Sequence, residues 1–196
     1  MKTFVVCNSK GGVGKTTVSI LIALTFRRWK MTAGILDYDE LQQSAYMRAR
    51  DLGIPVGLHQ EAPELQGLQY LIVDTPPQIT SERLKAACAS AQVEKGGRIV
   101  LVMPPSMLDF EATLPALSHL GIANNPAARL LYNKVSRQSH FGRRRNEFGA
   151  ALPEVRQLSA ILAQRSCYQR AMCDGLEALS EDARTELDSV VGQLLD

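Results

Sequence analysis

The four cysteines of this 196-residue chain (Cys7, Cys88, Cys167 and Cys173) form no Cys-x-x-Cys pair. That removes the spacing used by zinc sites and iron–sulfur clusters. They read instead as small buried hydrophobes of a reducing compartment. No apolar run approaches the ~20 residues of a membrane span. The opening Met1-Lys2-Thr3-Phe4-Val5-Val6-Cys7-Asn8 has too short an apolar stretch for a signal peptide. A cytoplasmic location without stable membrane association is therefore expected. His59, His119 and His140 are scattered, and no His, Ser or Cys constellation suggests a second chemistry; they read as surface or packing residues. There is no internal repeat, no low-complexity linker and no separate DNA-binding domain ahead of Lys10.

What remains is an ordinary globular balance, 45% apolar and 21% charged, at a length that suits a single domain over 1–196 with a substantial core. The net charge of +2 is uninformative; its distribution is not. From Lys134 to Arg170 stand eight Lys or Arg against Glu147 and Glu154, and from Glu177 to Asp196 six acids against Arg184. A basic segment followed by an acidic one admits a polyanion partner or merely a solvated face.

Apolar runs at Phe4 to Cys7, Ala33 to Leu36, Tyr70 to Val73, Ile99 to Met103 and Leu130 to Tyr132 lack polar alternation and predict buried strands. Between them, Lys15 to Trp29, Ser81 to Val93 and Leu108 to Leu120 have helical character, the last only with a kink or break at Pro115. Gly53 to Gly67 reads as a surface connection. Strand–helix alternation predicts an α/β fold: a mainly parallel, twisted sheet flanked by helices on both faces, with functional groups at the carboxyl ends of its strands.

One such end carries the strongest signal. Lys10-Gly11-Gly12-Val13-Gly14-Lys15-Thr16-Thr17 follows the first strand and opens the first helix. The strict Gly-x-x-x-x-Gly-Lys-Ser/Thr phosphate loop fails because Ser9 stands at the first glycine. The physics survives: glycines let backbone N–H groups converge on phosphate oxygens, and the helix adds its positive end. Lys15 would reach the β- and γ-phosphates of ATP, and the Thr16 hydroxyl would bind magnesium.

With Lys10 at its start, this loop resembles that of the deviant-Walker ATPases of the ParA/MinD type. Further stretches match in order: Asp37-Tyr38-Asp39; Leu71-Ile72-Val73-Asp74-Thr75-Pro76-Pro77; Pro104 to Asp109; Leu131-Tyr132-Asn133-Lys134; and Arg165 to Gly175. The resemblance implies a weak ATPase acting as an ATP-bound homodimer. It implies that Lys10 reaches the partner's phosphates, that Asp39 orients the attacking water, and that Asp74 holds magnesium through a water. It departs at Asp39-Glu40-Leu41-Gln42-Gln43-Ser44, one residue longer than the family's pattern, where nucleotide state would be communicated. Base choice follows from hydrogen-bond inventory. Ser136 stands where a guanine-reading carboxylate would sit, whereas Asn133 can pair with adenine N6 and N7.

Three readings compete. In the favoured one, a ParA-like ATPase binds DNA nonspecifically and partitions or positions a cargo (plasmid, chromosome region or large assembly) with a cargo-bound activator protein. Its candidate DNA contacts are Arg137, Arg143, Arg144 and Arg145, beside His140, Phe141 and Phe148. A MinD-like membrane-cycling ATPase is disfavoured, because Glu181 to Asp196 is acidic where anionic lipid wants a basic amphipathic helix. That segment reads as a helix on the sheet. A kinase- or ligase-like enzyme would have little use for Lys10.

Overall fold

All five apolar runs form strands, most extended by a polar residue or two. β1 is Lys2–Cys7, β2 Ala33–Asp37, β4 Tyr70–Asp74, β5 Arg98–Met103 and β6 Ala128–Tyr132. Two short strands complete the sheet, β3 (Val56–Gly57) and β7 (Arg156–Gln157). The computed structural model describes residues 1–58, 62–77, 81–93, 96–119, 122, 125–136, 138–152 and 155–196, with the backbone alone described at 81, 90, 92, 93, 115, 116, 118, 119, 148 and 149. Among them the sheet has the order β3-β2-β4-β1-β5-β6-β7, and every pairing is parallel.

Parallel strands need crossovers, and helices supply them on both faces. Between strands lie α1 (Lys15–Arg28), α2 (Ser44–Asp51), α3 (Ser81–Val93), α4 (Met107–His119), α5 (His140–Arg143) and α6 (Arg145–Ala150), and after β7 come α7 (Ser166–Asp174) and α8 (Glu181–Leu195). The sheet separates two apolar clusters. One joins Phe4, Val6, Val100 and Leu131 to α1, α7 and α8. The other joins Val5, Val73, Leu101 and Leu130 to Leu84 and Cys88 of α3 and Leu117 of α4. Because alternate residues of one strand enter opposite clusters, the runs had to be apolar throughout.

Several expectations need correction. The segment 53–67 is more than a surface connection: Ile54, Val56 and Leu65 are buried, and Pro55 accepts from the Ile35 N–H. Gly34 permits this approach, since a Cβ there would lie 2.8 Å from the Pro55 oxygen and 2.5 Å from Leu68. The helix α4 runs unbroken through Pro115, so the missing N–H costs one bond rather than the helix. The buried stripe of α8 (Ala183, Leu187, Val190, Val191, Leu194) packs chiefly against α1 rather than directly on the sheet. Cys7, Cys88 and Cys167 are buried as expected, but Cys173 is exposed, as is His140. His59 and Arg137 lie outside the described residues, as do the side chains of His119 and Phe148. No described helix is long and apolar enough to cross a membrane.

Candidate functional site

β1 ends at Cys7, and the chain turns through residues 8–14 into α1. The turn needs glycine: Gly12 and Gly14 have φ of +75° and +95°, in the left-handed region that other residues avoid. Gly14 also makes room for a neighbour, because a Cβ there would lie 2.4 Å from the Asn133 amide nitrogen. No side chain caps the start of α1, so its first N–H groups stay available to an anion.

The loop lines a cleft of about 420 Å³, which also takes in Thr16, Asp39, Asp74, Pro77 and Lys134. Lys15, only 6% exposed, curls back so that Nζ donates to the Lys10 carbonyl at 3.0 Å. Its burial lowers its pKa, against the pull of Asp74 and Asp39. Asp74, at the end of β4, accepts from Thr16 Oγ1 at 2.7 Å and from Ser19 Oγ at 2.8 Å. Burial pushes its carboxyl up to about 7 despite those two donors. A carboxylate paired with a hydroxyl, in a place where its charge is costly, is a hard-oxygen donor set suited to magnesium. Gly11, Gly12, Gly14, Lys15, Thr16 and Thr17, with Asp39 and Asp74, drawn from three separate parts of the sequence, thus meet in one place.

Asp37 and Asp39 divide their work. Asp37 is fully buried and braces the turn, accepting from the backbone N–H groups of Asp39 at 2.8 Å and Tyr46 at 2.9 Å. Asp39 is half-buried and accepts from the Gln42 N–H at 2.9 Å, which leaves carboxylate capacity facing the cleft. The long 39–44 segment is held by Glu40, which pairs with Arg83 at 2.7 Å, and by Gln43 in a left-handed conformation. Leu41 at its tip is 96% exposed.

Lys10 does not point into this cleft. Its ammonium pairs with Asp109 of α4 at 2.7 Å, the two side chains being 36% and 14% exposed. Behind them, Ser106 Oγ donates to Asp109, and Asn8 Nδ2 donates to Val102 O at 2.8 Å and Thr113 Oγ1 at 3.2 Å. The sequence reading did not foresee Asn8, Ser19 or Asp109 as parts of this network, because nothing local marks them. Asn133, 5% exposed, donates to the Val13 carbonyl at 2.9 Å, and Lys134 Nζ donates to Gly12 O at 2.6 Å. Both tie β6 to the loop. Asn133 therefore has its oxygen and one N–H left for a base.

The arginine stretch is not assembled in the same way. Arg143 and Arg144 are exposed, but Arg144 forks onto Glu147 at 2.7 and 2.8 Å. Arg145 is half-buried and donates to Gly142 O at 3.2 Å, while its own carbonyl accepts from Tyr132. Further on, Arg165 and Tyr168 both donate to Glu186 at 2.8 Å, which fixes α7 to α8.

A family model described as "ParA: NUBPL iron-transfer P-loop NTPase" matches residues 1–46. A curated relative, the maintenance of carboxysome distribution protein A of Gloeobacter kilaueensis, is 26% identical over 191 residues, covering 89% of this chain and 82% of that one. Among solved structures, a chain of the Aquifex aeolicus MinC:MinD cell division protein complex superposes with a TM-score of 0.73 at 14% identity, over 99% of this chain and 95% of that chain. Apo McdA of Cyanothece superposes with a TM-score of 0.69 at 15% identity, over the whole of both chains. Fold, phosphate loop and these likenesses agree: the chain has a P-loop NTPase fold and is similar to ATPases of the ParA/MinD type.

Proposed function

We propose that this protein is a weak ATPase that binds ATP with magnesium, dimerises across the nucleotide, and positions a cargo together with an activator protein. The reading rests chiefly on the convergence of Lys15, Thr16, Asp39 and Asp74 on one cleft at the carboxyl ends of β1, β2 and β4. Lys15 and the N–H groups of residues 11–16 bind the phosphates. Thr16 and Asp74 are the magnesium donors, and the ion supplies charge neutralisation between the phosphates. Asp39 orients the water that attacks the γ-phosphorus. Lys10, half-exposed beside the cleft, leaves Asp109 to meet the partner's phosphates. Asn133 reads adenine.

Positioning, rather than small-molecule phosphorylation, accounts for Lys10 and agrees with the name of the Gloeobacter kilaueensis relative. A membrane-cycling role gains no support from α8, whose apolar face is buried. Nonspecific DNA contact enters through charge alone, with Arg143 the freest of the candidate arginines among the described residues, and implies a nucleoid-bound cytoplasmic protein. Sizing chromatography with ATP, ADP and no nucleotide is the test. A dimer with ATP and magnesium only is expected; a chain that stays monomeric under all three conditions sinks the proposal.

A further inference from the structure

The end of the sheet away from the phosphate loop holds three arginines that the ATPase reading leaves idle. Arg98 opens β5, Arg129 lies second in β6 and Arg156 opens β7. The register makes them neighbours on one face. Arg129 pairs directly with Arg156 and Val100 with Arg129, and Arg98, two residues before Val100, shares its side of the sheet. The three go from exposed Arg156 through half-buried Arg98 to Arg129, which is only 7% exposed.

A buried guanidinium is normally answered by a carboxylate. Here none answers. Among the described residues Arg98, Arg129 and Arg156 make no ion pair, and the only partners of their side chains are backbone carbonyls. Arg129 Nη1 donates to Pro126 O and Ala128 O, both at 2.8 Å, and Arg98 Nη1 to Gly97 O at 2.8 Å. The Nε atoms of Arg98 and Arg129 are buried without any partner. Asp188 of α8 is engaged by Arg28 and Trp29 at the end of α1. Among the described residues like charge is therefore concentrated without relief, and burial, with Arg98 and Arg156 adding to it, pushes the Arg129 pKa down.

We propose that Arg98, Arg129 and Arg156 form a binding site for a phosphate group, at the opposite end of the sheet from the nucleotide. Planar guanidinium forks match the oxygens of a phosphate, and a dianion or bridging phosphodiester supplies the missing negative charge. The phosphate group can belong to a free anion or to a nucleic-acid backbone, and the chemistry of the site is the same for both. The proposal is independent of the ATPase reading, because no residue is shared.

The test compares the wild-type chain with Arg129→Met, of similar shape, and Arg156→Ala, at an exposed position that leaves the core untouched. Melting temperature is measured in inorganic phosphate and in chloride at equal ionic strength. Phosphate bound at the phosphate loop contributes equally to all three proteins, so the difference isolates this site. Wild type should gain a saturable rise in Tm with phosphate, and both variants should lose that part of it. In chloride Arg129→Met should melt no lower than wild type, since it relieves repulsion; a purely structural arginine would give a lower Tm. Fluorescence anisotropy with a short duplex of arbitrary sequence identifies the source. A loss of duplex affinity in Arg156→Ala, with a log–log salt slope flatter by about 0.9, assigns the site to a nucleic-acid phosphate; unchanged duplex binding assigns it to a free anion. Equal phosphate response and equal duplex binding in all three proteins overturn the site.

Discussion

The carboxyl ends of β1, β2 and β4 and the stretch from β6 into α6 are both rich in charge, but they pair it at different range. At the first, Thr16 and Ser19 meet Asp74 across more than fifty positions and Lys10 meets Asp109 across ninety-nine, the gap between those two numbers. At the second, Arg144 meets Glu147 three positions on and Arg145 the carbonyl of Gly142. Local pairs of this kind form on any exposed helix and contribute little. Long-range polar pairs at a buried end of a sheet must be built by the whole fold, and the residues they hold are poised for a ligand. The contrast predicts that substitutions at the first region change function in kind, and those at the second only in degree.

The largest effects fall on Lys15 and Asp39, in opposite senses. Lys15→Ala removes a charged donor to the phosphates, worth about 10- to 150-fold in ATP affinity, as titration of a fluorescent ATP analogue would measure. Asp39→Ala leaves binding nearly intact and slows hydrolysis by about 100-fold or more, so the ATP-bound dimer accumulates on a sizing column. If both variants lost binding equally, the separation of roles between them would be wrong.

Lys10 offers a sharper test of the long-range pair. Lys10→Ala should keep weak nucleotide binding and lose the ATP-dependent dimer. Asp109→Asn removes only the carboxylate that holds Lys10 within its own chain, and should lower the ATP concentration needed for dimerisation by about 2- to 5-fold. Analytical ultracentrifugation across an ATP series reads both. Dimerisation weakened by Asp109→Asn would make the pair a brace of the loop rather than a hold to be released.

The legibility of these residues follows their range. The phosphate loop is contiguous, and its glycines, Lys15 and Thr16 state their purpose within eight positions; Asp39 and Asp74 stand at strand ends that apolar runs mark. Asp109 and Ser19 carry no such mark, since a carboxylate in a helix's first turn and a serine inside a helix have ordinary local uses. The strands β3 and β7 were illegible because two residues cannot display a period, and flanking residues help to pair them, Pro55 accepting from the Ile35 N–H and Leu158 donating to the Leu130 carbonyl. The three arginines at the far end become neighbours only once strand order and register are known.

Asn133 bridges the two regions, and its effect should be intermediate. On the proposed reading Asn133→Ala removes a base contact as well as the bond to Val13, so affinity for ATP should fall by about 5-fold for a base hydrogen bond of about 1 kcal/mol. The preference for ATP over GTP should narrow as well. A fall in both nucleotides with the preference unchanged would make Asn133 a brace of the loop alone.

The smallest effects belong to the arginine stretch, and there the structure redistributes what the sequence treats as equal. If the stretch met DNA, three independent phosphate contacts at 143–145 would flatten the log–log salt slope by about 2 to 3 when removed together. Arg144 is already forked onto Glu147, and Arg145 is half-buried with a bond to Gly142 O; neither is free to neutralise a phosphate without first breaking that bond. Arg143 is exposed, and among the described residues its side chain carries no such bond. Arg143→Ala alone should therefore account for most of the change, flattening the slope by about 0.9, while Arg144→Ala leaves it nearly unchanged. Glu147→Ala discriminates further, because it releases Arg144 and should strengthen DNA binding and steepen the slope. Equal effects of Arg143→Ala and Arg144→Ala would show that the local pair opens freely on contact, and the distinction between long-range and local pairing would lose its force at this surface.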